Sequence, residues 1–359
     1  MRFRPFSLLY PKNLRLINPE FTYYVTGRML FISGLRMIPV LLGWKLYELT
    51  GSKLALGMLG LSEVVPAVLL ALPAGVRIDK SDKRKLILTC MFAYLLISIA
   101  LLAVTLPPAD LRLGTFVQTW TIFLLIFCTG VIRAYSSPAF SAFLPQLVDT
   151  LVLVKAISIN SMGWLIAAVV GPALAGLLLG YTNLTTAFSV VVVFIFCGWI
   201  LVKRISPKPI SWQAGPARTW ESVKEGLGFV WQQKALLGAM SLDMFAVLFG
   251  GAIALLPVFA KDILFAGPQG LGWLMSATYL GNFIAIAWLS YRPLKHQQGK
   301  KLIYMVGGFG FCILLFGLSQ NFWLSFAALL ASGVFDGVSM MIRSTILQLF
   351  VPDTMRGRV

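Results

Sequence analysis

Ten stretches of roughly 20 mostly apolar residues follow one another along this chain, and each is long enough to cross a hydrocarbon core of about 30 Å. They fall near residues 22–46, 54–76, 86–106, 116–136, 152–179, 184–202, 235–259, 270–290, 302–319 and 322–349. In lipid every backbone N–H and C=O must find a partner inside the protein, so such stretches are expected to be helices. The composition agrees: 58% of residues are hydrophobic and 12% are charged, with a mean hydropathy of +0.84. Soluble domains carry about 25% charged residues. The expected fold class is an all-α polytopic membrane protein.

The formal charge of +17 would suit a nucleic-acid binder, but its distribution argues otherwise. Of the 30 Lys and Arg residues, 23 fall in alternate connections, counting Arg133 and Lys155 with the loop after the fourth stretch. The opposite connections carry only Lys45, Lys53, Arg112 and Lys261. That asymmetry marks cytoplasmic loops, so no nucleic-acid partner is expected, and both chain ends are placed in the cytoplasm. Cys90, Cys128, Cys197 and Cys312 are scattered singly through apolar stretches, which suits packed thiols rather than a disulfide or metal framework. Residues 1–20 are basic but lack an apolar core with a small-residue cleavage site, so they are not expected to act as a signal peptide.

A polar break divides the chain. Residues 1–20 form a cytoplasmic segment, 21–203 a first bundle of six helices, 204–234 a cytoplasmic linker and 235–359 a second bundle holding helices seven to ten. The linker opens with the extended Ser206-Pro207-Lys208-Pro209. Trp220, Val223, Leu227, Val230 and Trp231 then recur at helical spacing, as in an amphipathic helix lying on the membrane surface; a plain solvated linker is the alternative. The halves repeat at an offset of 215 residues: Leu56-Gly57 matches Leu271-Gly272, and Arg77 matches Arg292. Lys85-Leu86-Ile87 recurs one residue further on, as Lys301-Leu302-Ile303.

Between the second and third apolar stretches runs Gly75-Val76-Arg77-Ile78-Asp79-Lys80-Ser81-Asp82-Lys83-Arg84-Lys85, read as a water-exposed loop. Gly75, Asp79, Lys80, Lys83 and Arg84 resemble the loop between helices two and three of the major facilitator superfamily, secondary transporters of small solutes. Asp82 stands where many members have Gly, and a branch of exporters that includes the enterobactin exporters commonly has Asp there. Ala134 to Pro145, Leu242-Asp243-Met244-Phe245, and Asp336-Gly337-Val338-Ser339 through Arg343 to Arg358 resemble that same branch. The resemblance implies two six-helix halves related by an axis along the membrane normal, in a bacterial inner membrane. The closing Pro352 to Val359 resembles the cytoplasmic turn into an eleventh helix. The second half is therefore expected to be truncated, with a natural ten-helix protein as the alternative.

A charge at the bilayer centre costs at least ~2.5–3.5 kcal/mol, so each intramembrane ionisable residue is a functional candidate. These are Arg28 and Arg36 in the first stretch, Glu63 in the second, Asp243 in the seventh, and Asp336 and Arg343 in the tenth. The 215-residue offset sets Asp243 at the depth of Arg28. The expectation is that Asp243 is the proton-coupling acid and Arg28 its partner; a fixed ion pair holding the halves in register is the alternative. Asp336 and Arg343 share one face of a helix about 10 Å apart along its axis, and Arg343, near the cytoplasmic end, suits gating or anchoring. Glu63 is either a second proton site or a carboxylate reaching the outer interface. Arg133, read at the end of the fourth helix, is grouped with the gating residues. The family resemblance further implies that Asp79 faces the start of helix eleven and closes the cytoplasmic gate.

Gly171, Pro172 and Gly176 resemble a Gly-Pro motif of antiporters in the superfamily, with Ala167 and Ala175 where Gly is usual. Small residues let two helix backbones approach, while proline bends a helix; a bland kinked helix is the other reading. The expected function is a proton-coupled antiporter exporting a small amphipathic molecule, such as a drug or siderophore, as a monomer in contact with membrane lipid. A lipid or lysolipid flippase on the same fold, or an inactive truncated remnant, are alternatives. An enzyme would need a catalytic constellation, and the only histidine is His296 in a basic loop. No phosphate-binding Gly-x-x-x-x-Gly-Lys motif occurs, no channel-type filter is visible, and no cofactor or metal is expected.

Overall fold

The computed structural model describes residues 18–106, 114–209, 220–249, 251–291 and 298–350. Its helices are α1 (Pro19–Thr50), α2 (Lys53–Leu69), α3 (Ala71–Lys80), α4 (Lys83–Val104), α5 (Thr115–Phe143), α6 (Leu153–Tyr181), α7 (Leu184–Lys203), α8 (Trp220–Gln232), α9 (Lys234–Phe249), α10 (Gly267–Tyr291), α11 (Gln298–Leu318) and α12 (Phe322–Phe350). Polar side chains fix several of their starts. Asn18 accepts the Glu20 N–H ahead of α1, where Pro19 sits in the first turn, Asp82 accepts the Lys85 N–H at 3.1 Å ahead of α4, and Asn183 accepts the Thr186 N–H at 2.8 Å ahead of α7. Each satisfies an N–H that the first turn leaves free. Gly51 ends α1 in the left-handed region (φ 59°), which a side chain would disfavour.

Eight helices among the described residues are long and apolar enough to cross a membrane: α1, α4, α5, α6, α7, α10, α11 and α12. The other two expected spans are interrupted. The stretch expected as one helix over 54–76 divides at Leu70 into α2, of 17 residues, and α3. Pro66, inside the last turn of α2, has no N–H to give the Ser62 carbonyl, whereas the Leu70 N–H still bonds the Pro66 carbonyl at 3.1 Å. The stretch expected over 235–259 ends as a regular helix at Phe249 and continues as short turns over Gly251–Leu255, Leu256–Val258 and the wide turn Phe259–Ile263.

Two connections also differ from expectation. The basic segment read as a loop is helical through Lys80, and only Ser81 and Asp82 separate α3 from α4. Helix α5 passes Pro138 and runs to Phe143, so Arg133 lies well inside a helix rather than at its end. Proline is tolerated inside membrane helices because neighbouring groups re-satisfy the freed carbonyl. The linker helix expected near Trp220–Trp231 is present as α8. Arg292, His296 and the terminal Pro352 to Val359 lie outside the described residues.

In the first half, α1 packs along α6 and α7, α4 packs on α5 and α7, and α2 packs on α5. Glycines permit the closest approach: a Cβ at Gly198 of α7 would stand 2.7 Å from the Gly27 carbonyl oxygen of α1. In the second half α12 packs on both α10 and α11. The halves join mainly through α6 and α10, with α1 and α2 touching the turns around 251–258. Tyr47 of α1 donates a hydrogen bond to Asp262, and Gly43 faces Pro257. These contacts gather at one end of the bundle. At the other end, where the basic α3–α4 turn lies, Leu236, Ala239, Leu302, Ile342 and Ile346 form a separate apolar cluster of the second half.

Candidate functional site

A cavity of about 380 Å³ opens between the two halves. Helix α1 contributes Arg28 and Arg36, α2 contributes Glu63, α5 contributes Arg133 and Phe140, and α6 contributes Trp164. Ile253, Ala254, Pro257 and Met275 close it from the second half. Three guanidinium groups and one carboxylate leave the lining net positive by two charges.

Arg28 and Arg36 are eight residues apart on α1, a little over two helical turns, and so face the same side. Arg28 donates through Nη1 to Asn160 Oδ1 on α6 at 2.7 Å. Its guanidinium lies 5.3 Å from the centre of the Phe140 ring, while its buried Nε has no hydrogen-bond partner among the described residues. Arg36 lies 5.2 Å from the Trp164 ring centre and 5.1 Å from that of Tyr279, and donates through Nη1 to the Tyr279 hydroxyl at 2.9 Å. Negative ring faces attract a cation there. Arg36 thus joins α1, α6 and α10, and so both halves.

Glu63 and Arg133 meet at 2.7 Å. Of the two sequence readings of Glu63, neither placed it in such a pair: its carboxylate is half-buried, at the cavity wall. The expected facing of Arg28 and Asp243 is not what the structure holds. Arg343 of α12 pairs with Asp243 of α9, and its Nη2 lies 3.6 Å from Asp336 Oδ1. Asn282 of α10 donates to Asp336 Oδ2 at 3.4 Å. A small separate pocket, lined also by Val306, Phe309 and Ser339, holds this cluster. Equal depth in a repeat does not make two residues face one another: rotation about the helix axis decides that, and it turns Asp243 towards α12.

The small-residue motif on α6 does what close packing requires. A Cβ at Gly171 would stand 2.7 Å from the Ser33 carbonyl oxygen of α1, and one at Gly176 would stand 2.7 Å from Gly272 Cα of α10. The Pro172 carbonyl oxygen would be 2.6 Å from a Cβ at Gly272, and Ala167 and Ala175 are fully buried. Ser276 of α10 donates to the Val169 carbonyl at 2.9 Å, fixing the register of the two helices.

At the basic end, Gly75 is buried within α3 and Lys83 is half-buried in the first turn of α4. Arg84 donates through Nη2 to the Lys203 carbonyl at 2.8 Å, so it caps the end of α7. The side chains of Asp79 and Lys80 lie outside the described residues. Sequence reasoning missed Asn160, Trp164, Tyr279 and Asn282. The two amides carried a usable signal, since an amide inside an apolar stretch needs a partner as a charge does. Aromatic residues in membrane helices are too common to single out.

Residues 21–359 match the transmembrane secretion effector family. The staphyloferrin A transporter of Staphylococcus aureus is 24% identical over 340 residues, covering 94% of this chain and 83% of that protein. The enterobactin exporter EntS of Escherichia coli is 25% identical over 358 residues, covering 97% of this chain and 82% of that protein. Among solved structures, a bacterial homologue of the iron transporter ferroportin in its inward-facing state superposes with a TM-score of 0.66 at 17% identity, covering 94% of this chain and 86% of that one. The nucleoside transporter NupG gives a TM-score of 0.66 at 14% identity, covering 95% and 85% of the two chains. With two helical halves around a charged cavity and a family match along nearly its whole length, the chain belongs to the transmembrane secretion effector family of the major facilitator superfamily.

Proposed function

We propose that this protein exports a small amphipathic molecule of the siderophore or drug kind from the cytoplasm, in exchange for protons. The observation that carries this reading is the cavity between the halves, whose wall combines fixed cations with the rings of Phe140 and Trp164. Such a wall suits a cargo with a charged part and a planar apolar part. Relatives named as a staphyloferrin A transporter and an enterobactin exporter support a siderophore as the first cargo to try. The basic connections support an orientation with the N-terminus in the cytoplasm of a bacterial inner membrane. In that orientation the halves meet at the outer end, which supports access to the cavity from within. One chain supplies both halves, which supports action as a monomer.

Asp243 is the coupling acid in this reading, with Arg343 in place of Arg28 as its partner. A proton on Asp243 removes the charge that holds Arg343 to α9, and Asp336 and Asn282 remain to hold α12 to α10. Proton binding thereby loosens one specific helix contact, which is what coupling to a rocking motion requires. Gly75, Asp79, Lys80, Lys83 and Arg84 serve the basic-end gate, and Arg343 links that gate to the acid. The test is uptake of enterobactin into inverted membrane vesicles energised by respiration. Uptake is expected to collapse when a protonophore is added and to be lost in Asp243→Asn. Uptake that survives both treatments overturns proton coupling, and absence of uptake of any siderophore tried overturns the cargo class.

A further inference from the structure

Among the described residues that line the cavity, the acid is Glu63, and it sits on Arg133. Helices α2 and α5 are locked together by backbone: a Cβ at Gly130 would collide with the Glu63 carbonyl oxygen and with the Pro66 ring. The Glu63–Arg133 side-chain pair is open to the cavity instead, with Arg133 51% and Glu63 31% exposed. The hydrogen bond described for Arg133 engages only Nη1, whereas a guanidinium offers five N–H donors arranged to grip a carboxylate with two. Arg28 and Arg36, in the same wall, are oriented by Asn160, Tyr279 and the aromatic rings, with no carboxylate among those partners. Around the pair, α4 presents the Tyr94 hydroxyl, which donates to the Thr129 carbonyl at 3.0 Å.

We propose that Glu63 is an internal stand-in for a negative group of the cargo: it occupies Arg133 while the cavity is empty and yields that arginine when an anionic group arrives. The cargo class is then a small molecule with at least two anionic groups, carboxylates or phenolates, one for Arg133 and one for the Arg28–Arg36 side. Glu63 sets the charge selectivity. It weakens every anion by competing for Arg133, and it excludes molecules with too little negative charge to displace it. The proposal rests on the reading of this cavity as the cargo site.

The test is citrate binding to the full chain in detergent by isothermal titration calorimetry. Glu63→Gln is expected to bind citrate about two- to fivefold more tightly than the unaltered protein, the range an open ion pair can withhold. Glu63→Ala provides a second neutral variant, and unaltered elution on size exclusion checks the fold of each. The gain is expected to vanish when Arg133→Gln is added, because the freed subsite is then absent. Affinity that is unchanged or lower in both neutral variants overturns the proposal, and so does a gain that persists without Arg133. Citrate binding to none of the proteins overturns it as well. The siderophore uptake assay then judges the transport reading separately.

Discussion

Arg343 lies between two carboxylates, Asp243 on the neighbouring α9 and Asp336 two helical turns earlier on its own helix. The cluster carries a net single negative charge, and Asn282 partly offsets it by donating to Asp336. Removing the cation would leave two acids facing each other in an apolar bundle. Arg343→Leu is therefore expected to lower the unfolding free energy by about 1–3 kcal/mol, less than the ~3–5 kcal/mol of a fully buried pair because Asp243 is 37% exposed. Adding Asp243→Asn should recover part of that loss. Thermal unfolding of the four proteins of this cycle in one detergent measures it; simple additivity would mean that the two side chains do not interact.

Much of this arrangement was legible in the sequence, and its limits have a physical cause. Charges inside apolar stretches announce themselves by their solvation cost, so Arg28, Arg36, Glu63, Asp243, Asp336 and Arg343 all stood out. What sequence position fixes is depth. Partners also depend on rotation about each axis and on which helices are neighbours, so Arg28 meets Asn160 on α6 rather than Asp243. Helix ends were misjudged where hydropathy changed but hydrogen bonding did not, as at Arg133 inside α5 and along α3. At the small-residue motif on α6 the helices approach closely at Gly171 and Gly176, a feature that depends only on what is missing from the side chain.

Gly176 and Gly272 hold the halves together where α6 meets α10. Gly176→Leu would force a side chain into a space where even a Cβ stands 2.7 Å from the opposing Cα. Overpacking of this kind costs about 1–3 kcal/mol, and here the strain falls on the contact between halves. The expected outcome is faster labelling of a cysteine placed at Met275, which lines the cavity, by a membrane-impermeant maleimide added from the non-basic side. The measurement needs a background with the four native cysteines replaced by serine. An unchanged labelling rate would show that this contact does not govern access.

Arg36 lies against two rings, Trp164 and Tyr279, that themselves meet edge to face 6.5 Å apart, and it is hydrogen-bonded to Tyr279. Lysine keeps the charge but lacks the flat guanidinium that lies against Trp164 and donates to Tyr279 at the same time. Arg36→Lys is expected to lower the melting temperature measurably, since such contacts are worth about 0.5–2 kcal/mol. It should reduce enterobactin uptake more than Trp164→Phe does, because phenylalanine retains a ring face. Equal uptake by Arg36→Lys and the unaltered protein would assign Arg36 a charge-only role.

The Tyr47–Asp262 bond is the hydrogen bond that ties the end of α1 to the irregular turn after α9. Lys261 Nζ lies 5.4 Å from the centre of the same tyrosine ring, so the residue is held from two sides. Tyr47→Phe removes the hydroxyl and keeps the ring. It should therefore cost only the hydrogen bond, about 1 kcal/mol, because Asp262 is exposed and water can replace the lost partner. Tyr47→Ala also removes the packing against Leu56 and Val258, and a loss of about 3 kcal/mol is expected. If the bond acts as a latch between the halves, Tyr47→Phe should raise the maleimide labelling rate at position 275 as much as Tyr47→Ala does, although it loses only about a third as much stability. If it only anchors the turn, stability and labelling should move together across the two variants.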